Sequence, residues 1–79
     1  MKPTYTPSTS PPYFGLSPLE RQMIMLVSSG YTNRDIAQTL DGNENTIKRY
    51  LLSIFEKLHV ENRLELVLFA VHHGLLDED

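Results

Sequence analysis

The sequence predicts an all-α domain, a four-helix bundle, and three observations carry that prediction. Four positions hold residues suited to capping a helix N-terminus, each followed by apolar residues at helical spacing. Gly30 and the Asp41-Gly42 pair fall where two of those stretches should stop. No segment alternates polar and apolar residues as a half-buried strand does.

Residues 1–15 come first and are expected to be a disordered tail or linker. Pro3, Pro7, Pro11 and Pro12 stand there among Ser and Thr, a composition that cannot offset its ordering entropy by burying apolar surface. Tyr13 and Phe14 either stay with the tail or pack back on the first helix. The folded domain is expected over 16–76, with 77–79 (Asp77, Glu78, Asp79) as an acidic, solubilising tail.

Helix one should start at Pro18. Ser17 can cap it, proline suits the first helical position, and Glu20 completes a capping box. Leu19, Met23, Leu26 and Val27 form its apolar stripe, and the helix should end near Ser29 ahead of Gly30. Thr32 and Asp35 repeat the cap pattern for a short second helix that buries Ile36, Ala37 and Leu40. Asn43 caps a third, longer helix whose core-facing stripe reads Ile47, Tyr50, Leu51, Ile54 and Leu58. Asn62 with Glu65 opens a fourth, apolar from Leu64 to Leu75.

Composition narrows the function. A chain of 79 residues makes one small domain, too small for a large enzyme active site, and it has no cysteine for a disulfide, a thiolate nucleophile or a thiolate zinc site. His59, His72 and His73 lack neighbours at metal-ligand spacing, so no catalysis, metal or cofactor is expected. No run reaches the roughly 18 apolar residues of a membrane span and no signal-peptide pattern opens the chain, so a soluble, cytoplasmic protein is expected, with no membrane partner. The net charge of −3 argues against unspecific nucleic-acid binding, which needs a surplus of cations to displace counterions. It leaves room for a local basic face, so the placement of the seven Lys and Arg residues decides.

A short helix, a tight turn and a longer helix make a helix-turn-helix, whose second helix offers its N-terminal turns to base edges. At about 100° per residue, Asn45, Lys48, Arg49 and Leu52 lie together on the third helix, opposite Ile47, Leu51, Ile54 and Leu58. Thr46 adds a hydroxyl donor in the first turn, where amides and the helix dipole favour phosphate. On spacing alone, the alternative is a merely solvated charged face.

Five blocks resemble the LuxR/FixJ/GerE DNA-binding domain: Leu16-Ser17-Pro18-Leu19-Glu20, Gly30-Tyr31-Thr32-Asn33-Arg34-Asp35-Ile36-Ala37, Thr46-Ile47-Lys48, Lys57-Leu58 and Asn62-Arg63. Their order and spacing make the resemblance far more specific than any single motif. It implies a LuxR-type, tetrahelical output domain of a bacterial transcription regulator that binds double-stranded DNA, dimerises through its last helix and sets two recognition helices on inverted-repeat half-sites. It covers the output half only, leaving open a phosphorylated receiver or ligand-sensing domain ahead of it.

By the same resemblance, Lys48 matches the basic position of the family's Thr-Val-Lys block and implies a phosphate or base contact. Arg49 matches a variable readout position and can fork onto guanine. Thr46 and Asn33 match positions near the DNA backbone, with Arg34 adding a phosphate contact. Lys57 and Arg63 also match, and either touch DNA or tie helices three and four to neighbouring carboxylates; for Arg63 the structural role is favoured.

There are three departures from the family pattern. Asp41 and Gly42 stand where glycine and then an apolar residue are usual, predicting a looser turn that lacks a small piece of the core. Tyr50 replaces a histidine-like residue and is expected to fill the same space, its hydroxyl needing a partner. Leu52 is apolar at a base-reading position, and either meets a thymine methyl or has no role.

Helix four is apolar on more than one side. Leu66, Val67 and Ala70 match core positions, while Leu64, Leu68, Val71 and Leu75 form a second stripe expected to bury itself in a homodimer. The competing view is that all of them close the monomer's core. With the acidic balance and Leu52, a second function stays open, that of an interaction module pairing with a full-length regulator of the same type.

Overall fold

The computed structural model describes residues 14–76, so the proline-rich leader up to Tyr13 and the acidic end 77–79 lie outside the described residues. Four helices follow one another: α1 (Pro18–Ser28), α2 (Asn33–Thr39), α3 (Glu44–Leu58) and α4 (Arg63–His72). Among the described residues there is no strand, and the chain is all-α.

Each start is capped by the residue that the sequence nominates. Ser17 and Glu20 close a reciprocal box, as do Thr32 and Asp35. Asn43 accepts from the Thr46 amide at 2.9 Å and Asn62 from the Glu65 amide at 2.9 Å. The return arm of the Asn62 cap goes elsewhere: the Glu65 carboxylate takes the Glu61 amide at 2.7 Å.

The ends share one device. In all four, an amide reaches back five residues to a helix carbonyl: Tyr31 to Leu26, Gly42 to Ala37, Val60 to Phe55 and Leu75 to Ala70, at 3.1, 2.8, 3.0 and 2.9 Å. This Schellman closure needs a left-handed residue one position earlier. Gly30 and Gly74 supply it at two ends, but Asp41 (φ 59°) and His59 (φ 57°) supply it at the others. The turn between α2 and α3 is therefore closed rather than loose, and its left-handed residue is Asp41, not Gly42.

Met23, Ile24, Ile36, Ile54 and Leu66 are fully buried at the centre, with Val27, Ala37, Ile47, Leu51, Leu58 and Ala70 around them. At about 1.5–3 kcal/mol per large side chain, this core is the main stabilising term. α2 packs on α3 and α1 on α4.

Several expectations need correction. In α1, Leu19 is exposed and Ile24 is buried, because the inward face runs Glu20, Met23, Ile24, Val27. Glu20 is only 6% exposed, and Lys57 meets it at 2.7 and 2.9 Å. In α3, Tyr50 lies outside the core at 39% exposure. Leu75, expected on the outer stripe of α4, is 3% exposed and belongs to the core. The helix stops at His72 and the left-handed Gly74 folds the chain back, so helical spacing no longer governs residue 75. Phe14 and Gly15, expected in the tail, touch the domain instead. The Phe14 ring packs on Phe69 of α4 and on His73 just past its end at centroid distances of 5.1 and 5.0 Å, rather than on α1, and the Gly15 carbonyl accepts from Lys57 Nζ at 3.4 Å.

Candidate nucleic-acid interface

The start of α3 is presented outward by its own amphipathicity. Ile47, Leu51, Ile54 and Leu58 hold one side in the core, which leaves Asn45, Lys48, Arg49 and Leu52 exposed together on the other. Asn43, Asn45, Thr46, Lys48, Arg49 and Leu52 line an open cleft of about 520 Å³. All four outward side chains predicted for this face are thus brought together, and none has a hydrogen bond or ion pair among the described residues.

A second open cleft, of about 580 Å³, lies between the starts of α2 and α3. It is lined by Gly30, Tyr31, Thr32, Asn33 and Arg34 at the start of α2, by Glu44, Asn45 and Lys48 of α3, and by Arg63 of α4. The basic residues are therefore concentrated: Arg34, Lys48, Arg49 and Arg63 all border these clefts, against one carboxylate, Glu44. That is how an acidic chain presents a cationic face.

Each cation has a separate geometry. Arg63 is held inward, its Nη1 donating to Asn33 Oδ1 at 3.0 Å and its Nη2 to the Tyr31 carbonyl. Its partners are an amide and a main-chain carbonyl, not a carboxylate. Lys57 is spent on Glu20 and borders neither cleft. Burial alone would raise the Glu20 carboxyl, but the Lys57 ammonium and the Ser17 amide hold it below the ordinary carboxylate value. Asp35 is likewise lowered, by the amide and then the hydroxyl of Thr32 and to a lesser degree by the charge of Arg34. Both carboxylates cap helix starts.

Of the first-turn amides of α3, those of Thr46 and Ile47 are taken by the side chain and carbonyl of Asn43. The Thr46 side chain stays half-buried at the cleft's edge. Sequence reasoning missed Tyr31 and Glu44 as cleft residues; a cation at i+4 from Glu44 was the available sign.

Among the described residues, no group of three His, Asp or Glu side chains could hold a metal ion, and no helix is long and apolar enough to cross a membrane.

Comparison with known proteins gives this arrangement a context. The family described as GerE, bacterial regulatory proteins, luxR family, matches residues 15–70. Over 68 residues, 86% of the chain, it is 35% identical to the response regulator Rre1 of Synechocystis, and over 62 residues, 77% of the chain, 44% identical to the two-component response regulator PprB of Pseudomonas aeruginosa. Identity to the response regulator protein VraR of Staphylococcus aureus is 31% over 64 residues, 81% of the chain. The matched stretch spans 29%, 22% and 31% of those three proteins.

Proposed function

Since this chain belongs to the luxR family of bacterial regulatory proteins, we propose that it is a sequence-specific DNA-binding domain of a transcription regulator, inserting α3 into the major groove. The observation that carries this reading is the outward quartet of Asn45, Lys48, Arg49 and Leu52, without internal partners, on a helix whose opposite side is locked in the core. Arg49 forks onto guanine, Asn45 offers an amide to base or phosphate, Leu52 meets a thymine methyl, and Lys48 neutralises phosphate. Thr46, Asn33 and Arg34 add backbone contacts from the flank.

The active form is a homodimer on an inverted repeat. Leu64, Leu68 and Val71 are 68%, 58% and 62% exposed and follow one another along α4 at i, i+4 and i+7. A two-fold axis on this strip pairs two recognition helices. Because its relatives are named response regulators, the chain takes the part of their output portion, a receiver or sensing domain acting upstream of it in the same chain or another.

The test is selection from randomised duplexes at low and moderate salt. An enriched inverted repeat supports dimeric recognition, and a single enriched half-site limits the reading to monomer binding. Recovery of no preferred sequence refutes it. The second reading, an interaction module that pairs with a full-length relative through α4, is favoured by the same exposed strip and by an acidic net charge of −3. It predicts a stable heterodimer and little DNA binding at any salt.

A further inference from the structure

On the far flank of α3, Thr46, Arg49, Tyr50 and Ser53 line a separate cleft of about 320 Å³. Thr46 and Arg49 border both this cleft and the outward one, so they form the ridge between them. Tyr50 is half-out of the domain, Ser53 is exposed, and the side chains of Arg49, Tyr50 and Ser53 have no hydrogen-bonding partner among the described residues. One turn further on, Glu56 is exposed.

Resting on the reading of α3 as the groove helix, we propose that the hydroxyls of Tyr50 and Ser53, with that of Thr46, form a second anchoring row beside the base-reading Arg49 that grips a backbone phosphate of the DNA strand opposite the one met by Lys48. A helix with side chains is about 10–12 Å across and the major groove about 12 Å wide, so an inserted helix has a phosphate wall on each side. At about 100° per residue, Thr46, Tyr50 and Ser53 cluster on one flank of α3 and Lys48 lies on the other, with Asn45, Arg49 and Leu52 between them. Hydroxyl donors beside a guanidinium suit a phosphodiester, which only accepts. The row also gives the Tyr50 hydroxyl the partner that the domain's interior does not supply.

The test uses the intact chain and a selected duplex. Tyr50→Phe keeps the ring and removes only the hydroxyl, and Ser53→Ala does the same for the serine. Each is expected to weaken binding by roughly three- to tenfold. The ranking of duplex sequences stays unchanged, and so does the salt slope, because a neutral hydroxyl releases no counterion. A duplex with one neutral methylphosphonate in that strand should weaken the parent but not the Tyr50→Phe, Ser53→Ala double variant. Parental affinity in the double variant overturns the row, and so does a changed sequence ranking, which makes Tyr50 a base reader. The parent's own binding in the same titration separates these results from failure of the groove-helix reading, where no protein in the series binds.

Discussion

Arg63, the first residue of α4, donates to the side-chain oxygen of Asn33, the first residue of α2, across 3.0 Å and thirty positions of sequence. A guanidinium only donates, so it claims the oxygen of the Asn33 amide and leaves its NH₂ end to donate elsewhere, on a residue that lines the same cleft as Lys48. The helix proposed for dimerisation thereby sets the orientation of a group proposed to meet DNA. Arg63→Ala is expected to cost about 1–2 kcal/mol in urea unfolding, since it also leaves the Tyr31 carbonyl without this donor. Arg63→Lys, with one compact donor group in place of the fork, should recover less than half of that.

Replacing both Lys48 and Arg49 by alanine should leave unfolding unchanged, because both are exposed and unpaired within the domain. Binding to a selected duplex should weaken sharply, and the slope of log K against log salt should become shallower by up to about 0.9 for each phosphate no longer neutralised. Unaltered affinity in a folded double variant would remove α3 as the recognition helix.

Two leucines of the same sequence stripe should behave oppositely. Leu68→Asp places a charge on the exposed strip and should yield a folded monomer by sedimentation in the presence of DNA. Leu75→Ala empties part of the core and should cost about 2–4 kcal/mol of stability. If Leu68→Asp still binds as a dimer, the pairing surface lies elsewhere.

Glu20 couples folding to acid. Its carboxyl is held below its unfolded value, so its contribution is complete above the ordinary carboxylate range and is lost as pH falls through the lower, folded value. Melting temperature followed from neutral to acid pH should drop in that range for the parent and drop less for Glu20→Gln. At neutral pH the variant should be about 1–2 kcal/mol less stable, a figure kept modest because the Lys57 side chain is 40% exposed.

Gly42→Ala should stabilise the domain by about 0.4–1 kcal/mol in urea unfolding. Its φ is not in the left-handed region, and an added Cβ would meet nothing within 4 Å, so the change acts by restricting the unfolded chain. Alanine at Asp41, where φ is 59°, should do the reverse.

The starts of the helices are legible in the sequence because a cap is local: Ser17, Thr32, Asn43 and Asn62 each bind an amide three residues on. The outward quartet of α3 follows from the same periodicity that buries its other side. What periodicity cannot give is a partner distant in sequence. Glu20 reads as a capping residue, and only Lys57, 37 positions away, explains how a carboxylate occupies an inward place. Leu75 fits a stripe on paper and leaves it because Gly74 turns the chain. Spacing points Tyr50 inward, yet it sits at the margin of the stripe, where neighbouring packing rather than angle decides. Phe14 looks like the end of a polar tail until Phe69 of α4 and His73 beyond its end supply partners.

The stop and start signals of α3, Asn43 and His59, are distinct from the four side chains of its outward quartet. In the proposed role of α3, the frame and the reading head are thus separate modules of one helix. On that reading, substitutions at 45, 48, 49 and 52 change which sequence is preferred while the helix keeps its length, phase and seat in the core. A regulator built this way acquires new targets by changing a handful of codons, without renegotiating its fold.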